Sequence, residues 1–244
     1  MYLYKIEIKS SLVEEAIRIV EEKGGSILFS SEGEKLGEIY AHLPEGILWP
    51  ETIVPIPAEL PAIDWEGQWE LHGVEELALG DTLIKLAAGP GFGDFSHPTT
   101  QLMIAMMQEH LRAKIVLDVG CGSGILSVAA VALGAELVVG IDIDPQALEH
   151  SRENARLNGF EERTEFYLPG EIEVEEPVFI LMNMISSEQK VAWESVRGLS
   201  STGMITSGIL EEEREEYLRM LESWGWSLVD EKEKSGWLAF YLRR

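Results

Sequence analysis

The chain has 244 residues, 45% hydrophobic and 25% charged, the balance of a folded globular protein rather than a disordered one. Its 43 Asp and Glu against 19 Lys and Arg leave a net charge of −24. Such a charge argues against direct nucleic-acid binding; it either steers basic partners inward or simply keeps the protein in solution. A single cysteine rules out an intramolecular disulfide and suits a reducing compartment. No stretch approaches the ~20 apolar residues needed to cross a bilayer, and the charged opening residues lack the layout of a secretion signal, so a cytoplasmic location is expected.

In chain order, Tyr2, Tyr4, Ile6 and Ile8 alternate with Leu3, Lys5, Glu7 and Lys9, the period-two pattern of a strand. Ser10-Ser11 followed by Glu14 has the form of a capping box. Leu12, Ala16, Ile19 and Val20 recur at helical spacing, and Gly24-Gly25 ends the helix. Residues 26–29 and 36–41 read as a hairpin around Ser31-Glu32-Gly33. This small α+β unit, residues 1–45, would bury little surface alone and is expected to dock on something. Pro44, Pro50, Pro55, Pro57 and Pro61 then predict a stiff extended spacer. Trp65 and Trp69, four residues apart, are expected on one face of a short helix packed against a neighbouring domain. Spacer and helix together occupy residues 46–79.

Residues 80–244 change rhythm. Short apolar runs at 115–119, 137–143, 164–168, 179–184 and 203–206 alternate with amphipathic stretches at 125–133, 145–157, 188–199 and 211–224. Alternation of this kind predicts an α/β fold, a parallel sheet with helices on both faces. Residues 227–231 and 237–242 are joined by too few residues for a parallel crossover, so the chain is expected to end in an antiparallel hairpin. The acidic run at 211–216 opens a helix, where carboxylates suit the positive end of the dipole.

The chemistry concentrates where Val116-Leu117-Asp118-Val119 runs into Gly120, Gly122 and Gly124 and a helix follows at once. Glycines let a backbone turn tightly and approach a ligand, and a helix start offers free N–H groups. A dinucleotide fingerprint needs its third glycine five residues after the first, but position 125 is Ile; no Gly-Lys-Ser/Thr follows either. The pattern therefore favours a ligand with a ribose and a small polar head and no pyrophosphate. Asp142, at the tip of the second strand, is placed to accept hydrogen bonds from both ribose hydroxyls. Asp144-Pro145 reads as N-cap and first residue of the next helix.

These segments resemble the class I S-adenosylmethionine-dependent methyltransferases, and within them the ribosomal protein L11 methyltransferase family. The resemblance runs from Gly120-Cys121-Gly122-Ser123-Gly124-Ile125-Leu126 through Gly140-Ile141-Asp142-Ile143-Asp144-Pro145-Gln146-Ala147 to Arg152-Glu153-Asn154-Ala155 and Asn158-Gly159. Upstream, Phe92-Gly93 and His97-Pro98-Thr99-Thr100 look like the family's F-G-T-G-T-H-P-T-T loop. Downstream, Met182-Asn183-Met184-Ile185 stands where the family has A-N-I-L, and Ser207-Gly208-Ile209-Leu210 also fits. The resemblance covers roughly residues 85–244. It implies a Rossmann-like methyltransferase sheet behind a small N-terminal substrate-recognition domain, with S-adenosyl-L-methionine as cofactor. It also implies methylation of lysine or N-terminal amines on a basic partner, ribosomal protein L11. By resemblance Thr100 holds the methionine end, Gly120 lies under it with Gly122 and Gly124 completing the loop, Asp142 takes the ribose, and Asn183 faces the reacting centre. Two features depart from the family: Asp94-Phe95-Ser96 replaces Thr-Gly-Thr in the upstream loop, and the front of the chain is shorter. Another protein or small-molecule substrate, or cofactor binding without catalysis, are the alternatives.

Asn183 could accept an N–H from an acceptor amine and aim its lone pair, or serve backbone groups in its loop. His97 is either a proton acceptor or a turn residue before Pro98. Glu171 either bonds the adenine amino group or belongs, with Glu173, Glu175 and Glu176, to a solvated loop. Cys121 has no basic partner in sequence and reads as a small residue tolerated beside the ligand. His42, His72, His110 and His150 show no metal-ligand spacing, so no metal is expected.

Overall fold

The structure is a computed structural model in which residues 2–32, 35–44, 46–58 and 76–244 are described. The chain divides into two compact units, residues 1–72 and 73–244.

In the first unit β1 (Tyr2–Lys9), β2 (Ser26–Glu32), β3 (Leu36–Leu43) and β4 (Pro55–Pro57) form an antiparallel sheet in the order β2-β3-β1-β4. Helix α1 (Val13–Glu22) lays Val13, Ala16 and Val20 against Ile6, Ile8, Ile39, Ala41 and Leu43. The alternation read in β1 holds, because Ile6 and Ile8 are buried while Glu7 and Lys9 are exposed. The capping box does not form. A 3-10 turn, Ser10–Leu12, leads into α1, so the cap position falls on Leu12, whose side chain has no acceptor. Nor is the proline-rich stretch spacer throughout. Ile56 lies opposite Lys5, and Ala58 N–H donates to the Leu3 carbonyl at 3.1 Å. Proline is tolerated there because β4 is an edge strand, where a missing N–H costs no ladder bond on the open side. Gly33 of the expected turn, and Trp65 and Trp69, lie outside the described residues.

The second unit opens with a hairpin of β5 (Glu76–Leu79) and β6 (Thr82–Lys85) around Gly80-Asp81. Then follow α2 (Pro98–His110), β7 (Ile115–Val119), α3 (Ile125–Ala132), β8 (Leu137–Ile141), α4 (Pro145–Leu157), β9 (Thr164–Tyr167), β10 (Val178–Asn183), α5 (Ser186–Val196), β11 (Ser201–Leu210), α6 (Arg214–Ser223), β12 (Ser227–Lys234) and β13 (Trp237–Arg243). Strands β7 to β13 of that run build one seven-stranded sheet ordered β12-β13-β11-β10-β7-β8-β9. It is parallel from β9 to β11, and β13 is antiparallel to both its neighbours, as the short final connection requires. Strand order reverses at β7 and β10, and in open α/β sheets ligands bind beyond the carboxyl ends of the strands at such a switch point.

Pleating sends alternate side chains to opposite faces. Leu117, Val119, Ile180, Met182 and Met204 enter the core with Trp193 of α5 and Tyr217 and Leu221 of α6. Their neighbours Asp118 and Asn183 therefore point to the other face, the one covered by α2 and α3. Helix α2 has no single apolar stripe. Leu102, Met103, Ile104, Met106 and Met107 are all buried, as expected of a helix enclosed on most sides, and periodicity is a poor signal for it.

Candidate functional site

The glycine loop is built by close contact. Gly120, Gly122 and Gly124 have φ of +73°, +56° and +78°, a region that side chains rarely adopt. A Cβ on Gly122 would lie 2.4 Å from the Phe92 carbonyl oxygen, and one on Gly120 would meet the Met184 methyl at 2.3 Å. The loop is tied to β8 through Gly120 N–H and Cys121 N–H, which donate to the Ile141 carbonyl at 2.8 and 3.0 Å.

Asp142 follows β8 and faces this loop. Its Oδ2 accepts from Gly122 N–H at 2.9 Å and its Oδ1 from Asp144 N–H at 3.0 Å. A carboxylate offers about four lone-pair positions, so two remain for further donors. Beside it Ile143 is 83% exposed, an apolar surface at the crevice mouth that the sequence reading passed over. Asp144 caps α4 as expected, accepting from Gln146 N–H at 2.9 Å.

Among the described residues, three buried oxygens on α2 and on the sheet strands that flank the switch point have no hydrogen-bond partner: Thr100 Oγ1 on α2, Asp118 Oδ1 on β7 and Asn183 Oδ1 at the tip of β10. Asn183 stands one residue beyond the Met182–Val119 pair, so register sets it next to Gly120, and the Met184 side chain lies over that glycine. Asp118 has no role in the sequence reading, although it belongs to the quoted motif. Its Oδ2 accepts from Ser127 Oγ at 2.6 Å, and burial pushes its carboxyl up to about 7, the Ser127 bond pulling the other way. Burial of a polar atom without a partner is costly, so these three atoms leave open acceptors that a polar ligand could satisfy.

The upstream loop is ordered by its own departures from the family pattern. Asp94 Oδ1 accepts from Ser96 N–H, Ser96 Oγ and His97 N–H at 2.6, 2.5 and 3.1 Å, and Phe95 is buried. Asp94 thus works as a turn former. His97 caps α2: its Nδ1 accepts from Thr99 N–H at 3.3 Å and lies 2.8 Å from Thr99 Oγ1. This geometry suits the turn role. Glu171 folds back, its Oε2 accepting from Leu168 N–H at 3.0 Å in an exposed turn. Burial drives the Cys121 thiol well up, so it is no nucleophile. Among the described residues Glu109, His110 and Asp230 are close enough to share an ion. They are already engaged with other side chains, His110 Nε2 lying 2.7 Å from Asp230 Oδ2 and Glu109 pairing with Lys232 at 3.0 Å.

Helix α4 holds the approach to the site. Asn154 Oδ1 accepts from Ala87 N–H at 2.7 Å while its Nδ2 donates to the Ser123 carbonyl at 2.8 Å. His150 Nδ1 accepts from Gly91 N–H at 3.1 Å, and its Nε2 donates to the Ala87 carbonyl at 2.7 Å. Asn158 pairs with both backbone groups of Lys85. Asn154 and Asn158, which carried the resemblance, are braces here.

A seven-stranded sheet of this order, with a glycine loop after its first central strand and a carboxylate at the tip of the next, defines the class I S-adenosylmethionine-dependent methyltransferase fold. A profile of the family described as Ribosomal protein L11 methyltransferase (PrmA) matches residues 66–244. The chain belongs to that family. The ribosomal protein L11 methyltransferase of Xylella fastidiosa (strain 9a5c) is 39% identical over 172 residues, 68% of this chain and 56% of that protein. Its counterpart from Pseudomonas paraeruginosa (strain DSM 24068 / PA7) is 36% identical over 206 residues, 76% of this chain and 69% of the other. The chain thus spans between about half and two thirds of the length of these relatives. A crystal structure of ribosomal protein L11 methylase from Lactobacillus delbrueckii subsp. bulgaricus superposes with a TM-score of 0.57 at 25% identity, covering 63% of this chain and 81% of that one. Among the described residues no helix is long and apolar enough to cross a membrane.

Proposed function

We propose that this chain is an S-adenosyl-L-methionine-dependent N-methyltransferase whose substrate is ribosomal protein L11, modified on lysine side chains or its N-terminal amine. The observation that carries the reading is the set of unpartnered buried oxygens, Asp118 Oδ1 and Asn183 Oδ1 on the paired strands β7 and β10 and Thr100 Oγ1 on α2. The residues present fit the cofactor. Thr100 and Asp118 offer acceptors for an ammonium and hydrogen-bonding capacity for a carboxylate, the bare backbone of Gly120, Gly122 and Gly124 permits close approach, and Asp142 keeps lone pairs for ribose hydroxyls. Ile143 offers an apolar face for a base. When bound, the sulfonium supplies an activated methyl group for in-line displacement.

The chain's own groups then have to align an amine, and alignment alone is worth several orders of magnitude in rate. An acceptor amine must be neutral to attack. Asn183 Oδ1, lacking any partner, accepts one of its N–H bonds and so directs the lone pair. The net charge of −24 draws a lysine-rich protein toward the site, and the first unit is the part left to recognise it. A cytoplasmic location follows from such a substrate.

The test is transfer of labelled methyl groups to L11 beside other basic ribosomal proteins. Label on L11 above all is the expected result; label only elsewhere would assign another substrate, and none anywhere would leave a binding module. Asp142→Ala should weaken cofactor binding ~10–100-fold in a calorimetric titration, the worth of hydrogen bonds to a charged group; unchanged affinity would remove Asp142 from the site.

A further inference from the structure

We propose that Tyr217 and Gln189 are positioning residues of the transfer site: together they fix the peptide that joins Asn183 to α5. The proposal rests on the methyl-transfer reading for its consequence, but not for the hold itself.

Gln189 is fully buried on the first turns of α5. Its Nε2 donates to the Met184 carbonyl at 2.8 Å and to the Ser207 carbonyl at 2.9 Å, which uses both its protons. Its Oε1 can only accept, and the Tyr217 hydroxyl lies 2.5 Å away. That hydroxyl also lies 2.8 Å from Thr206 Oγ1, and it has one proton. Since the amide oxygen has nothing to give, Tyr217 donates to Gln189 and accepts from Thr206. The chain of donors therefore has one direction, and it fixes which end of the Gln189 amide faces Met184. A flipped amide would set an oxygen against two carbonyls. Burial keeps the Tyr217 phenol protonated, hence a donor, throughout the working range.

A second rung lies beside the first. Ser186 Oγ donates to Glu213 Oε1 at 2.6 Å, and Glu213 Oε2 accepts from Leu210 N–H at 3.2 Å. Ser186 and Gln189 are three apart at the start of α5, and Glu213 and Tyr217 are four apart leading into α6, so each pair shares one helix face. On the far side Gly208, at φ +87°, interrupts the register between β11 and β13, and a Cβ there would lie 2.4 Å from the Met184 oxygen. The Met184 carbonyl is thus gripped by an amide and backed by a residue that must be glycine.

No reaction step uses these groups, yet their effect falls on the site. Asn183 Oδ1 has no hydrogen bond to aim it, so its direction depends on the backbone that carries it. Met184, the next residue, rests its methyl over Gly120. Loosening the Met184 peptide would therefore move both the acceptor-orienting amide and the side chain that covers the glycine loop. Displacements of about 1 Å at such a site cost up to ~100-fold in rate.

The experiment uses the full chain with Tyr217→Phe and Gln189→Met, and Val131→Ala as a control that opens a core cavity at the end of α3. Tyr217→Phe and Gln189→Met are expected to speed amide hydrogen exchange in residues 184–189 and to lower kcat ~10-fold or more. KM for the cofactor should stay within about twofold, since Asp142 and the backbone of the glycine loop keep their own hydrogen bonds to each other and to β8. Val131→Ala should lower the melting temperature without either local effect. Unchanged exchange at 184–189, or an equal kcat loss in Val131→Ala at matched melting temperature, would overturn the proposal. Faster exchange in a protein that transfers no methyl group would instead uphold the hold on Met184 and count against the methyl-transfer reading.

Discussion

The two flanks of the glycine loop treat their polar side chains in opposite ways. On the α4 flank, His150, Asn154 and Asn158 are bonded to backbone groups of residues 85–91 and of the loop itself. On the α2 and β10 flank, Thr100, Asp118 and Asn183 each keep a buried oxygen without a partner. His150 and Asn154 are as buried as Thr100 and Asp118, so burial and polarity alone do not distinguish the two flanks. Satisfaction is what differs between them: a bonded amide repays its own desolvation, and an unbonded one is a standing cost that a ligand could relieve.

The sharpest break of that contrast is Gly122→Ala. It places a methyl 2.4 Å from the Phe92 carbonyl oxygen at a left-handed φ, and the nearest atoms are all Phe92 backbone with no side chain to yield. A loss on the order of 3 kcal/mol or more is expected, with cofactor binding abolished; a titration matching the native chain would mean the loop tolerates substitution. Next is the braced flank. Asn154→Ala strands the Ala87 amide and the Ser123 carbonyl, at about 1–3 kcal/mol for each unsatisfied group. Denaturant unfolding should show a loss near 3 kcal/mol, and a loss under 1 would demote the brace.

The open flank should respond with the other sign. Asp118 has its carboxyl raised to about 7 in the folded protein, well above an unfolded carboxylate. The folded state therefore binds the extra proton, and stability falls as pH rises from about 4 to about 7, then levels off. Asp118→Asn removes that slope. The variant should gain on the native chain across the window by on the order of 2 kcal/mol, allowing for relaxation around a buried charge; a pH-independent difference would refute the assignment. The smallest effect is Thr100→Val. Replacing an unpartnered hydroxyl by a methyl should stabilise the cofactor-free protein by about 1 kcal/mol while weakening cofactor binding several-fold. A variant that is less stable and binds equally well would place Thr100 among the scaffold residues.

The parallel strands and the closing hairpin could be read early because each obeys a local rule. Residues 115–119 and 145–157 were bounded without error, one by a buried apolar run and the other by Asp144-Pro145 at its start. The β5–β6 hairpin carried a signal that was passed over, Gly80-Asp81 between Leu79 and Thr82, a two-residue turn. Helix α2 carried almost none, since a helix buried on most sides has no stripe. Ser11 and Glu14 had the right spacing for a capping box, but the 3-10 turn moved the cap to Leu12. The proline stretch looked like a spacer because composition reports stiffness; whether a sheet edge lies within reach is a question of tertiary contact.

Glycines 120, 122 and 124, the acidic strand tip at Asp142 and the strand rhythm around them are consequences of local backbone geometry, and local geometry is written in neighbouring residues. The partners of Asp118, Asn154, Gln189 and Tyr217 lie in elements distant along the chain, and nothing in their spacing states whether a buried oxygen finds a donor. Only folding brings Tyr217 to Gln189 and leaves the Asn183 side-chain oxygen without a partner among the described residues. Hydrogen-bond satisfaction depends on where the rest of the protein sits, and that is why the contrast between bonded braces and open acceptors exists only in three dimensions.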